Sequence, residues 1–150
     1  MLVNAYRSPS SLNENNLELY RLVNEISRCG CKHIVWVGDF NFPGIDWDNY
    51  SSSNKLECEF IDTVLDNFLI QNVTFPTRAR GEDCPHVLDL VISNDDFVDK
   101  IECLAPLGKS DHVVLNVFIK SYEMPVKRER KLNYDKGDYD ALGNYLDIKE

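Results

Sequence analysis

Basic residues are scarce in this sequence: 16 Lys and Arg face 25 Asp and Glu, which leaves a formal net charge of −9. A protein that grips nucleic acid through a broad positive surface carries the opposite balance, so that mode of binding is disfavoured. Long apolar runs are lacking too. None approaches the roughly 20 residues that span a bilayer, and the start Met1-Leu2-Val3-Asn4 has neither the charged nor the apolar region of a secretory signal. Both absences lead to the expectation of an intracellular protein, nuclear or cytoplasmic, not secreted and without a membrane partner. Cysteine is sparse and poorly spaced for structural use. Cys29, Cys31, Cys58, Cys84 and Cys103 are odd in number and show no repeated Cys-x-x-Cys, which speaks against a zinc site or a disulfide framework.

What is present suffices for a folded core: 43% of the 150 residues are hydrophobic, enough for one domain. The acidity is unevenly placed. Residues 125–150 hold six basic and six acidic groups, so the whole −9 lies in residues 1–124, with ten basic and nineteen acidic groups. A solvated acidic surface explains most of these carboxylates, and a site for a divalent cation is compatible with them.

Periodicity outlines an alternating α/β chain. A strand is expected over 2–6, placing Tyr6 at a strand end, followed by a Ser/Pro turn over 7–11. From Asn13 as N-cap, Leu19, Leu22, Val23 and Ile26 recur at helical spacing, and Gly30 supplies a stop. The β-branched run 33–37 reads as a strand covered on both faces. Residues 42–53 form a polar loop carrying Trp47 and Tyr50. Asn54-Lys55-Leu56-Glu57 fits a capping box for a helix burying Leu56, Phe60, Ile61, Val64, Leu65 and Phe68. Strands follow over 69–75, around Asp89, and over 101–104 and 112–119, with a basic loop at 76–81. A domain edge is placed near residue 122, and 123–150 reads as a charged linker with a terminal helix over 134–146, either a link toward a further domain downstream or only a docked terminal helix.

The chemistry-bearing residues sit at strand ends. Asp39 and Asn41, one residue apart after the 33–37 strand, can converge on one point and orient a water, although Gly-Asp-x-Asn is equally a turn in which both side chains bond their own backbone. Asp89 lies within Val87-Leu88-Asp89-Leu90-Val91-Ile92, where a carboxylate is costly unless a cation or donor meets it. His112, at the start of an apolar strand, is the candidate partner, since an Asp acceptor fixes an imidazole's tautomer. Asp111 beside it suits a turn, a metal ligand or a water contact. A nucleophilic triad of Ser110, His112 and Asp89 is rejected, because no Gly-x-Ser-x-Gly elbow or oxyanion loop accompanies it.

With these residues in view, the chain resembles the endonuclease/exonuclease/phosphatase family, which contains pancreatic deoxyribonuclease and the apurinic endonucleases. More narrowly, it is similar to the endonuclease domain of non-LTR, LINE-type retrotransposons. The matching pieces are Asn4-Ala5-Tyr6-Arg7-Ser8-Pro9, Val37-Gly38-Asp39-Phe40-Asn41, Thr74-Phe75-Pro76-Thr77-Arg78, Leu88-Asp89-Leu90-Val91 and Leu107-Gly108-Lys109-Ser110-Asp111-His112. The resemblance implies a partial four-layer α/β sandwich of the deoxyribonuclease-like fold, with 1–122 as the C-terminal portion of the domain. In that family Asp39 and Asn41 would orient or deprotonate the attacking water, and Asp89 would pair with His112, whose imidazole stabilises a phosphorane-like transition state. Tyr6 would contact the scissile phosphate, Asp111 would help position Mg²⁺ or Mn²⁺, and Arg78 and Arg80 would lie on a DNA-facing loop.

The family also has an Asn and a metal-binding Glu in a half that precedes the strand matching residues 2–6. The expectation is therefore a truncated piece lacking that N-terminal half. The implied function is Mg²⁺-dependent nicking of DNA, with DNA a partner once the domain is completed and a reverse transcriptase domain downstream. The alternatives are a phosphodiesterase of the same fold acting on lipid or RNA, and a non-catalytic remnant.

Overall fold

The computed structural model describes residues 1–78, 84–120 and 137–147, and the chain divides into two units, 1–120 and 121–150. In the second unit the described residues form a helix, which we call α3 (Tyr139–Asp147) and which Asp138 caps by accepting from Ala141 N–H at 2.9 Å. The expected helix start at Tyr134 and the charged stretch around 125–131 lie outside the described residues.

The first unit runs β1 (Leu2–Tyr6), α1 (Asn13–Ser27), β2 (Val35–Asp39), α2 (Lys55–Asp66), β3 (Ile70–Gln71), β4 (Asp89–Ser93), β5 (Val98–Leu104) and β6 (Val114–Ile119). Four strands form one sheet in the order β1-β2-β4-β3, with β1 parallel to β2 and the other pairs antiparallel. β5 and β6 pair as a separate antiparallel sheet.

Side-chain alternation sorts the central strands onto two cores. Trp36, Leu90 and Ile92 join Tyr20 and Val23 of α1 and Phe60 and Val64 of α2, together with Phe40 and Phe42. Phe60 is fully buried, with Phe42 stacked at a centroid distance of 4.7 Å and Phe40 at 5.4 Å. On the opposite face Val35 and Val91 pack with Phe97 and Val98, against which Ile101, Leu115 and Val117 close. The result is three layers: helices, sheet, hairpin. Both faces of β2 are covered at its start, as its unbroken β-branched run requires.

Several boundaries differ from the sequence expectation. Asn13 is the first helical residue of α1, and Leu12 occupies the cap position without a side-chain bond. Tyr20 takes the buried place expected of Leu22, which is exposed; its hydroxyl donates to Leu56 O at 2.8 Å and tethers α1 to α2. In the capping box, Asn54 accepts from Leu56 N–H at 2.9 Å as expected. Glu57, however, is buried and accepts from Gly44 N–H at 2.9 Å and from the Ser52 hydroxyl, so it anchors the 42–53 loop. Leu65, still inside α2, is exposed, and so is Phe68, at 87%, because α2 ends at Asp66 and Phe68 follows in a left-handed conformation with φ 54°.

The 69–75 strand contracts to two residues because side chains take over its ladder. Gln71 bonds Val73 through both amide atoms, and Asn72 Nδ2 donates to Ile70 O, Val91 O and Ser93 Oγ at 2.9, 2.9 and 3.0 Å. β5 begins earlier than expected, at Val98. β6 begins later, at Val114, since the backbone at His112 and Val113 is committed to Arg78 and Thr77.

Candidate functional site

The site begins with a register. β2 and β4 are antiparallel neighbours and pair Asp39 directly with Asp89, so two carboxylates meet at one edge of the sheet. β1 brings Tyr6 opposite Asp39 on the other side. The approach of β1 is close enough to demand glycine at position 38. A Cβ there would lie 1.8 Å from the Ala5 carbonyl oxygen, and φ is 142°.

The third group arrives from the hairpin layer. His112 Nδ1–H donates to Asp89 Oδ2 at 2.8 Å, and its own backbone N–H bonds Ser110 Oγ at 3.1 Å. Asp89 thereby sets the tautomer and leaves Nε2 to act. One ligand atom from each of Asp39, Asp89 and His112 lies within 4.8 Å of the others. Burial, and then the charge of Asp89, pushes the Asp39 carboxyl above its ordinary 3.8, while His112 and the bonds from Asn41 pull the other way. Two carboxylates and an imidazole this close form a group that could hold a divalent metal ion.

A buried threonine holds these parts together. Thr77 is fully buried; its Oγ1 accepts from Leu88 N–H at 3.0 Å and Asp89 N–H at 2.9 Å, and its carbonyl accepts from Val113 N–H at 2.9 Å. One residue thus ties the start of β4 to the segment that carries His112. A Thr within a Pro-Thr-Arg loop gave no local sign of this, because its partners lie eleven or more residues away.

The remaining expected residues are placed as follows. Asn41 has φ 50°, donates its backbone N–H to Asp39 Oδ1 at 3.1 Å and donates Nδ2 to Arg7 O at 2.9 Å. The turn is therefore formed, and it sets Asn41 beside the carboxylate pair. Tyr6 is 75% exposed at the end of β1. Asp111, expected as a metal ligand, accepts from Arg78 Nε at 2.9 Å through one oxygen, and that hydrogen bond holds its carboxyl below the usual range. Among the described residues the acidic–imidazole cluster is Asp39, Asp89 and His112, without Asp111. Arg78 bridges in the backbone to both His86 and His112, and with Asn41, His86 and Pro43 it lines a cleft of about 360 Å³. Arg80 lies outside the described residues.

Residues 1–116 match the sequence profile of a family described as endonuclease-reverse transcriptase. No curated protein matches the chain. Among solved structures it is similar to the endonuclease domain of TRAS1, a telomere-specific non-LTR retrotransposon, at 20% identity and a TM-score of 0.59, over 79% of this chain and 55% of that one. It is also similar to the 3′ phosphatase NExo from Neisseria, solved with a product DNA hairpin, at 16% identity and a TM-score of 0.57, over 80% of this chain and 61% of that one. At these identities the likeness is one of fold, the deoxyribonuclease-like α/β kind. The chain spans between half and two thirds of the length of these two structures.

Proposed function

We infer function from one premise: the chain belongs to the endonuclease-reverse transcriptase family. We propose that Asp39, Asp89 and His112 are the water-activating and phosphate-facing part of a site that hydrolyses DNA phosphodiesters. The observation that carries this reading is their convergence within 4.8 Å from two paired strand ends and a third segment.

Each side chain has a role that its surroundings support. Asp39, at the strand end where the Asn41 turn begins, takes the proton of the attacking water, and Asn41 orients that water from the adjoining turn. His112, with Nδ1 turned to Asp89, presents Nε2 to the phosphoryl oxygens as charge develops there. Tyr6, exposed beside Asp39, reaches the scissile phosphate with its hydroxyl. Arg78 lines the adjoining cleft, where its guanidinium places positive charge along the strand that carries the phosphate. With Asp111 engaged by Arg78, the carboxylates of Asp39 and Asp89 are the groups that would hold Mg²⁺ or Mn²⁺, which when bound supplies neutralisation of the phosphate charge. The tail past residue 120 leads, on this reading, toward a reverse transcriptase domain.

The test is nicking of supercoiled plasmid with Mg²⁺ or Mn²⁺ present and after chelation. Asp39→Asn and His112→Ala are each expected to slow cleavage by about 10²–10⁴-fold while leaving the melting transition cooperative. Equal nicking by both variants sinks the assignment. Hydrolysis of a phospholipid diester or of RNA with DNA left intact would overturn the choice of substrate.

A further inference from the structure

A residue outside the carboxylate–imidazole cluster makes contact with four consecutive positions of the loop that carries Asp39 and Asn41. Arg7 donates its backbone N–H to Asp39 O at 2.8 Å, and its carbonyl accepts from Asn41 Nδ2 at 2.9 Å. Its guanidinium donates from Nη1 to Asn41 O at 2.8 Å and, more weakly, to Phe40 O at 3.5 Å. The same group lies 4.1 Å from the centroid of the Phe42 ring. On the other side, Arg7 Nε donates to Oδ1 of Asn16, a fully buried residue of α1. The guanidinium is therefore fixed at both ends.

The geometry of the loop explains why it needs such a clamp. Asn41 has φ 50°, a left-handed conformation that asparagine adopts more readily than most L-residues and that hydrogen bonds from its neighbours fix in place. Reversal of that one dihedral would swing the Asn41 side chain away from Arg7 O and its carbonyl away from the Arg7 guanidinium, breaking both bonds. The Asn41 side chain, which also hydrogen-bonds the Asp39 carboxyl, would leave that carboxyl as it turned. No other residue in the described set bonds to the backbone of both Asp39 and Asn41 and to the side chain of Asn41. A lysine could supply the charge but not the planar fork that reaches Asn16 and the 40–41 carbonyls at once.

We propose that Arg7 is the positioning residue of the site: by gripping residues 39–42 it holds Asn41 in its left-handed conformation and keeps the Asp39 carboxylate aimed at Asp89 and His112. This rests on the phosphodiester reading for its effect on rate, and on the loop geometry alone for its effect on Asn41. Arg7 follows Tyr6 in sequence, so the clamp also joins the phosphate-facing strand end to the water-activating turn.

The experiment uses the full chain with Arg7→Lys and Arg7→Ala and reads two quantities at a temperature well below each variant's melting transition. The first is the φ of Asn41, from the three-bond amide–Hα coupling in isotopically labelled protein, which needs neither DNA nor metal. The expected result is a change of that coupling toward an averaged or negative-φ value in both variants. The second is DNA nicking, where kcat is expected to fall by about 10- to 100-fold with KM within about twofold. A merely structural Arg7 would lower the melting temperature and leave both quantities unchanged, and that result overturns the proposal. If Arg7→Ala does not fold, Arg7→Lys decides by the same two readings. If the unmodified chain does not nick DNA, the functional reading fails, and the Asn41 coupling alone still decides whether Arg7 positions the loop.

Discussion

Asp39 stands at a site whose chemistry works against the fold. Its carboxyl is raised above 3.8, chiefly by burial and then by Asp89, so the folded state binds a proton more tightly than the unfolded one. The favourable contribution is full below 3.8, where both states are protonated, and is lost as pH rises through the folded value. At neutral pH the ionised Asp39 therefore destabilises the chain. Asp39→Asn should melt a few degrees higher than the parent at pH 7 without divalent ions, and no higher once the pH is below 3.8, as calorimetry would show. A divalent cation should raise the parent's melting temperature and leave that of Asp39→Asn nearly unmoved; equal shifts would show that the ion binds elsewhere. Thr77 has the opposite character. Thr77→Val removes the acceptor for two backbone N–H groups, at about 1–3 kcal/mol for each one left unpaired, measurable by urea unfolding. Asp89 could be picked out of the sequence because an acid in an apolar run is anomalous locally, and Asp39 and His112 because each stands at the end of an apolar strand where it can meet that acid. Thr77 and Arg7 could not, since a Thr and an Arg in turn-rich loops are ordinary and their partners are distant in the chain.

At the level of elements, the strongest demands fall on β2 and α2. Gly38→Ala would drive a methyl into the Ala5 carbonyl and force β1 away from β2; a loss of at least about 3 kcal/mol is expected, with the separation of Tyr6 from Asp39 visible as lost amide protection in β1. Phe60→Ala should cost about 3–5 kcal/mol in chemical denaturation, because four aromatic neighbours, Tyr20, Phe40, Phe42 and Trp47, border the cavity it leaves. Helical periodicity revealed α2 and the burial of Phe60, Ile61 and Val64, since those positions repeat on one face. It extended that face too far at Phe68, because periodicity carries no information on where a cap turns the chain, and at Leu65, which is half exposed within the helix. The strand at 69–75 was overdrawn for a related reason. Its apolar letters suit a strand, but Gln71 and Asn72 spend their amides on the neighbouring backbone and stop the ladder.

Across the whole of residues 1–120, the alternation of strand and helix was legible as an α/β fold. The assignment of β5 and β6 to a layer of their own was not, because strand pairing depends on register between distant segments. That layer has a temporal consequence. β4 is buried along nearly its full length, whereas β5 and β6 are mostly half-buried or exposed and meet the sheet through a modest apolar cluster. Hairpin amides should therefore exchange with deuterium through a partial opening at lower free energy than those of β2 and β4. An opening that spread to the bonds of His112 with Arg78 and of Val113 with Thr77 would remove His112 and leave Asp39 paired with Asp89. On the phosphodiester reading, the chain would then pass through a state that still captures an ion and has lost its imidazole, so that on warming, turnover should decline at temperatures where cation binding is intact.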